Sequence, residues 1–152
     1  LLEHKLCGVA NGRAEFGPRA LGNRSLLADP RLDIKDTVNE VKQRQKFRPF
    51  APAILEEHFD DYFVGRKNRY MQFVSKARHD YKSVTHVDGT ARVQCVEKDN
   101  ISILRPILEE WYSQTGCPML LNTSLNIRGK PMVNNVTHAE SFEKKYNVKV
   151  FR

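Results

Sequence analysis

The chain has 152 residues, a length typical of one domain with its own hydrophobic core. Hydrophobic residues make up 40% and charged residues 28%, which excludes a disordered chain, and no apolar run reaches the ~20 residues needed to cross a bilayer. The net charge of +7 indicates an anionic partner, either nucleic acid or small phosphates. Many of the arginines stand beside glycine, proline or polar loop residues, which favours a pocket over a broad nucleic-acid surface.

The cysteines and histidines do not form a recognisable metal or disulfide pattern. Cys7, Cys95 and Cys117 are far apart in the chain and have no CxxC neighbour, so we predict buried free thiols in a reducing compartment, the cytoplasm. The five histidines are scattered, and none has another histidine at i+3 or i+4. We therefore predict no metal site in this chain.

The predicted elements of the first half alternate between strands and helices. Buried apolar runs predict strands over residues 5–10, 25–28 and 51–55. Apolar residues at helical spacing predict a helix from Asp33, as its N-cap, to about Gln43, and a short helix over 56–63.

In the second half, a loose alternation predicts a strand over 70–77, and Asp88-Gly89 predicts a hairpin between strands within 84–96. An apolar stripe predicts a helix from Leu104 to its stop at Gly116, with Pro106 in the first turn. A strand over 119–121, a helix with a Thr137/Glu140 capping box and a strand over 148–151 follow. The interspersed order predicts an α/β or α+β fold with a mixed sheet.

Three polar loops adjoin these strands, where sheets usually present ligand-binding groups. Residues 12–25 combine three glycines with arginines, which is typical of a backbone cradle for an anion, although a tight turn with solvated arginines is the alternative. Residues 42–52 interleave Phe47 and Phe50 with cations, a pattern that can stack a nucleobase. The alternative is the solvated, basic C-terminal end of a helix. Residues 121–126 carry amide and hydroxyl groups that suit nucleotide oxygens, or only a turn that ends the strand.

Four blocks of sequence, in this order, resemble the C-terminal region of the O-carbamoyltransferases that modify nodulation factors and antibiotics. The similarity runs from about Cys7 to Pro131, and the blocks are residues 12–25, 47–52, 86–94 and 121–124. The resemblance implies a YrdC-like fold over residues 1–152, in which helices pack against a twisted mixed sheet. It also implies that the chain is part of a longer protein with an N-terminal, actin-like (ASKHA-type) domain that holds the acceptor and the family's own metal.

The same resemblance implies an activity and its substrates. This region takes carbamoyl phosphate and ATP, with Mg²⁺ as the companion of ATP, and forms a carbamoyl-adenylate for transfer to a small-molecule hydroxyl acceptor. It implies no tightly bound cofactor in this region.

By match to the family's motifs, Lys42, Arg48 and Arg92 are the implied catalytic residues. The implied substrate-binding residues are Arg19, Arg24, Lys46, Asn122, Ser124 and Asn126. Arg19 competes with Arg24, and Lys42 with Lys46, for the same roles. Leu125 stands where family members usually have Phe, and the segment after Pro131 is less typical of the family.

Two other functions remain open at this stage. A YrdC-like fold with a net charge of +7 is also compatible with a basic RNA-binding module. The third hypothesis is a catalytically degenerate domain that only packs against an actin-like partner. The intact arginine positions and the intact S-x-N element, Ser124 and Asn126, argue against it.

Overall fold

The computed structural model of the chain describes residues 1–152, and it confirms an α/β fold with a mixed sheet. Every element except a 3-10 turn, Glu56–His58, is a strand or an α-helix. In chain order these are β1 Leu6–Ala10, β2 Arg24–Ala28, α1 Lys35–Val41, β3 Ala51–Leu55, α2 Phe59–Tyr62, β4 Phe63–Val64, β5 Ser75–Ala77, β6 Thr90–Ala91, β7 Gln94–Val96, α3 Leu104–Thr115, β8 Met119–Ser124, α4 Val136–Tyr146 and β9 Val150–Phe151.

The strands form two sheets. The larger has six strands in the order β7-β3-β8-β2-β1-β9, and the smaller has three in the order β4-β5-β6. In the larger sheet the central pairs are antiparallel, whereas the outer pairs β3/β7 and β1/β9 are parallel. The small sheet is antiparallel throughout.

Helices cover both faces of the six-stranded sheet because its central strands are apolar on both sides. Leu26 packs with α1 and α4, whereas its neighbour Leu27 points to the opposite face and packs with α3. Leu120 and Leu121 divide between the two faces in the same way. All three cysteines are free and buried, as predicted. None of the helices is long and apolar enough to span a lipid bilayer.

The predicted hairpin around Asp88-Gly89 is wrong, although the turn itself forms. Gly89 has a φ of 76°, its N–H donates to the carbonyl oxygen of His86 at 3.0 Å, and the carboxylate of Asp88 accepts from the N–H of Thr90 at 3.0 Å. No strand precedes the turn, because the backbone N–H groups of Val84 and Thr85 donate to the nearby carbonyl of Tyr81. Downstream of the turn, β6 joins the small sheet and β7 joins the large one.

Other boundaries differ from the prediction for local reasons. The predicted strand over 70–77 is reduced to Ser75–Ala77. The first helix begins at Lys35 without a side-chain cap, and the hydroxyl of Ser83 accepts from the N–H of Ile34 at 3.2 Å. The last helix is capped by Asn135, whose side chain accepts from the N–H of His138 at 2.9 Å, and not by the predicted box.

A cationic sheet edge as the candidate functional site

The topology brings the three polar loops to one edge of the six-stranded sheet. Strand register places Ala10 opposite Arg24, Ser25 opposite Ser124, and Asn122 opposite Ala51. The ends of β1 and β8 therefore lie beside the beginnings of β2 and β3, and β7 begins in register with β3. We call this the site edge: residues 11–25, 42–51, 92–94 and 122–126.

Lys42 is held at the site edge by the end of β8. It caps the C-terminus of α1, is buried, and donates from Nζ to Ser124 O at 2.5 Å and Ser124 Oγ at 3.2 Å. Nζ also lies 2.9 Å from Asn126 O and 3.0 Å from Asn126 Oδ1, which in turn accepts from Ser124 Oγ at 2.6 Å. Lys42, Ser124 and Asn126, all predicted site residues, thus form one hydrogen-bonded group.

The structure separates the two lysines that compete in the sequence. Lys46 Nζ lies 2.8 Å from Glu40 Oε1, and its side chain is 60% exposed. Lys42 instead faces the S-x-N element. The geometry therefore places Lys42, and not Lys46, with the predicted site residues Ser124 and Asn126, where its three N–H donors are used by protein oxygens and it contributes charge.

It also separates Arg19 from Arg24, the two arginines of the first loop that compete for the same role. The guanidinium of Arg24 is buried and donates to five backbone carbonyls, those of Asn11, Gly12, Asn23, Val133 and Asn134, at 2.7–3.2 Å. Because arginine has five N–H donors, none is left for a ligand. Arg24 ties two loops together, whereas Arg19 lies exposed on the same loop with its charge unpaired.

Like charges accumulate along the site edge without carboxylates to neutralise them. Burial and then the charge of Arg44 lower the pKa of Lys42 to about 7. Burial and then the charge of Arg48 lower the pKa of Arg44 to about 10. Burial, followed by the charges of Arg19 and Arg48, also lowers the pKa of Arg92. No carboxylate oxygen lies within ion-pairing distance of any of these five cations.

Arg92 has a further unpaired group. It is half-buried between β6 and β7, and its Nε is buried with no hydrogen-bond partner. A buried donor without an acceptor costs ~1–3 kcal/mol, and among fixed like charges an oxyanion would satisfy it. The predicted residues Arg19, Arg48 and Arg92 are therefore brought together in an arrangement suited to a polyanionic ligand.

Asn122 lies deeper in the sheet than the other predicted residues. Its side chain is 1% exposed, and Nδ2 donates to Ala20 O at 3.1 Å and to Gln94 Oε1 at 2.7 Å. Gln94 Nε2 donates to Leu21 O at 3.1 Å. The pair thereby fixes the backbone of the arginine-bearing loop to the sheet.

Sequence reasoning did not single out three contributors to this site. Arg44 stacks over the ring of Phe50, with Cζ 4.1 Å from the centroid, and adds to the cationic series. Glu15 Oε1 accepts from the N–H groups of Leu21 at 2.7 Å and Asn23 at 2.6 Å, which shapes the loop. Gln94 is buried in a short strand. The single acidic residue in an arginine-rich loop and a glutamine between the apolar residues Val93 and Cys95 are the sequence signals for two of these positions.

The model of the carbamoyltransferase C-terminus family matches residues 1–151. The chain belongs to this family. Nodulation protein NolNO of Sinorhizobium fredii is 44% identical over 142 residues, which are 87% of this chain and 21% of that protein. Nodulation protein U of Rhizobium tropici is 43% identical over 125 residues, 78% of this chain and 22% of that protein.

This member of the carbamoyltransferase C-terminus family thus spans about a quarter or less of the length of these relatives. A third relative, nodulation protein NolO of Bradyrhizobium diazoefficiens, is 44% identical over 142 residues and is covered over 26% of its length. The site edge lies within the residues that the family model matches.

Proposed function

We propose that the site edge binds carbamoyl phosphate and Mg²⁺-ATP and forms a carbamoyl-adenylate, within a carbamoyltransferase whose hydroxyl acceptor is held by an N-terminal, actin-like domain. The observation that carries the proposal is the series of unpaired cations Lys42, Arg44, Arg48, Arg92 and Arg19. Membership of the family supports carbamoyl transfer as the reaction. The cytoplasm is the compartment that this proposal requires, since its substrates are cytoplasmic metabolites.

The proposed chemistry needs fixed positive charge more than a nucleophile. Water takes the phosphoryl group from carbamoyl phosphate, which leaves carbamate and inorganic phosphate. A carbamate oxygen then attacks the α-phosphorus of ATP, and the bond to pyrophosphate breaks. Negative charge develops on the departing groups in both steps, and preorganised cations stabilise it without being consumed.

Residue roles follow from position. Arg92 and Arg48 bind the phosphoryl oxygens, and Arg19 adds charge from the loop above them. Lys42 adds positive charge beside the same anions, while Ser124 and Asn126 hold its ammonium group. Mg²⁺ enters as the companion of ATP.

Calorimetric titration of the 152-residue chain with carbamoyl phosphate, and then with Mg²⁺-ATP, tests the proposal. We expect saturable binding of both ligands. Arg48→Ala should weaken carbamoyl phosphate binding by about 10- to 100-fold, because a charge-assisted hydrogen bond contributes ~1.5–3 kcal/mol. Lys144→Ala, an exposed residue on the last helix, removes the same charge and should leave binding unchanged.

The same titrations at two salt concentrations separate this function from the alternatives. RNA binding through several phosphate contacts would weaken by ~10³ or more between 50 and 200 mM salt and would depend little on any one arginine. Normal carbamoyl phosphate binding by Arg48→Ala would contradict the site assignment. A chain that binds none of the three ligands would favour a degenerate packing domain.

A further inference from the structure

The two faces of the strand pair β1/β9 are covered unequally. On one face, α4 packs against β9 and shares a hydrophobic core with Val150. On the other face, the single helix α3 lies mainly over β3 and β8, toward the opposite side of the sheet. Phe151, the neighbour of Val150 in β9, is 51% exposed on this second face. The layer that contains α3 therefore has room for a further element beside that helix.

An apolar groove lies in this space. It has a volume of about 390 Å³, and seven of its nine lining residues are hydrophobic, which marks it as a binding surface for apolar side chains. Cys7, Val9 and Asn11 line it along one face of β1, and Ile107 of α3 lines the opposite wall. Leu1 borders the groove and also a second one against α3, so the two form a continuous surface.

Residues 1–5 form a helical turn that leads into β1. The N–H of Lys5 donates to the carbonyl oxygen of Leu1 at 2.8 Å, which is the i→i−4 bond of an α-helix. Lys5 has a φ of 61°, in the left-handed region that a residue with a Cβ adopts only at a cost. A left-handed residue whose N–H closes such a bond commonly ends an α-helix. The turn therefore has the geometry of the C-terminal end of a helix.

The body of that helix would belong to chain that precedes Leu1. The 142 residues matched in the nodulation protein NolNO are 21% of that protein, and the family model is that of a C-terminus, so most of the relative's length comes before the match. Because Lys5 alone links the turn to β1, the helix must fold back over the strand that follows it. This direction takes it from Leu1 along β1 toward Asn11, which is the course of the groove.

We propose that the segment directly preceding Leu1 forms an amphipathic helix that occupies this groove. The five residues of β1 span ~17 Å, the length of about eleven helical residues, or three turns. The apolar face of the helix covers Val9, Ile107 and Phe151 and completes the α3 layer. The part of the protein before Leu1 is thereby joined to this domain through a packed helix and not through a flexible linker. Since β1 leads directly into the loop over 11–25, the helix also fixes the direction from which that part approaches the site edge.

The proposal makes a requirement of the preceding sequence. Leu1 faces the groove, so the positions about three, four, seven and eight residues before it lie on the same helical face and must be mainly apolar. Polar residues at these positions, or a proline in the interior of the segment, would overturn the proposal.

The experiment is hydrogen exchange, followed by mass spectrometry, on the protein expressed with all the residues that precede Leu1. Backbone amides of the ten or so residues before Leu1 should be protected, since a packed helix exchanges only on local opening. Ile107→Lys should lower this protection by about tenfold or more, because the helix would cover a charged side chain. Protection of the central strand β8 should change little, since a lysine at the half-buried wall can extend its ammonium group to water.

Ile101→Lys is the matched control. Ile101 is fully exposed, lies six positions before Ile107 and lines neither groove, so the same substitution there should leave the protection of the segment unchanged. If Ile107→Lys also lowers the protection of β8, Phe151→Ser replaces it. That variant removes an apolar wall of the groove at an exposed position and should release the segment alone.

Three results would overturn the proposal. Exchange of the segment at the rate of an unfolded peptide would show that no helix forms there. Protection that survives both Ile107→Lys and Phe151→Ser would place the helix elsewhere. An unprotected segment, together with a dimer in light scattering that Ile107→Lys dissociates, would assign the groove to a second copy of the chain.

Discussion

Cations at two places in the molecule have opposite neighbours: on α3 they are paired with carboxylates, and at the site edge they lie beside further cations. On α3, Arg105 is 7% exposed and donates to both carboxylate oxygens of Glu57, at 3.0 and 2.7 Å, and to Glu109 at 2.8 Å. Its hydrogen bonds hold the pKa of Glu57 at about 2, well below the ordinary 4.5. At the site edge, burial and then the charges of neighbouring arginines lower the pKa values of Arg92 and Lys42.

This difference distinguishes Arg105, a cation paired within the fold, from the cations that we propose bind a ligand. In a buried ion pair, the attraction and hydrogen bonds between the partners offset the cost of removing their charges from water. Removal of one partner leaves the other charge unpaired. A cluster of like charges has no such partner in the chain and reduces stability until an anion enters. Substitutions on α3 should therefore change the free energy of unfolding, and substitutions of Arg48 or Arg92 should change binding.

The largest effect is expected from Trp111→Ala. Trp111 is 4% exposed in the core between α3 and the sheet, and Arg31 lies over its ring with Cζ 5.1 Å from the centroid. Truncation of a buried tryptophan costs ~3–5 kcal/mol of unfolding free energy through lost burial and the cavity that remains. Urea denaturation followed by circular dichroism measures the loss.

Tyr112→Ala is the control, because this adjacent helix residue is 37% exposed and should cost much less. An unchanged denaturation midpoint for Trp111→Ala would mean that α3 does not pack as described.

Arg105→Ala should have the next largest effect, about 2 kcal/mol, because the carbonyl of Val96 loses its buried donor, whereas Glu57, a third exposed, can be solvated. Glu57 also makes this contribution pH-dependent. Its folded pKa of about 2 lies below the unfolded value, so the stabilisation is present above about pH 4.5 and is lost as the pH falls toward 2.

Arg105→Ala should therefore show a smaller loss of stability between roughly pH 5 and pH 2 than the unmodified chain. Glu109→Ala serves as the control: this carboxylate is 54% exposed, and an exposed pair contributes only ~0.5 kcal/mol. Equal losses for the two variants would mean that the Glu57 contact is not the stabilising one.

The elements that the sequence predicts well are those whose pattern is local. The strands ending at Ala10 and Leu55 and the helix that stops before Gly116 follow from apolar runs and from one glycine with a φ of 68°. The hairpin prediction failed because strand pairing is long-range: β7 joins β3 in parallel, and no local signal at Asp88-Gly89 indicates that partner. Turn chemistry correctly located the turn but not the strands around it.

The same distinction holds for the site. Residue types alone indicated anion binding only for the loop rich in glycine and arginine over residues 12–25, whereas Lys42, Arg48 and Arg92 were implied by the match to the family's motifs. The role of Arg24 could not, since two of its acceptors, the carbonyls of Val133 and Asn134, lie more than a hundred positions away. The orientation of Asn122 likewise depends on Gln94 and on the loop carbonyls, which only the folded chain brings together.

The smallest effect is expected from the titration of Lys42, one of the site-edge cations that have no carboxylate partner. Its folded pKa of about 7 lies below its ordinary value of 10.5, so above pH 7 the unfolded chain binds more protons than the folded one. The stability of the unmodified chain relative to Lys42→Met should therefore rise with pH, by about 1 kcal/mol between roughly pH 7 and pH 9. The increase in unfolding free energy per pH unit stays below the maximum for one proton, because four oxygens around Nζ favour the ammonium form.

Denaturation at a series of pH values measures this difference, with Lys144→Met as an exposed lysine control that should show no trend. Saturating inorganic phosphate should flatten the rise, because an anion at the site edge stabilises the protonated amine. A difference that stays constant to pH 9 without phosphate would mean that the oxygens of Ser124 and Asn126 alone keep Lys42 charged. The site edge would then carry its full positive charge before any ligand arrives, and anion binding should show no dependence on Lys42 titration.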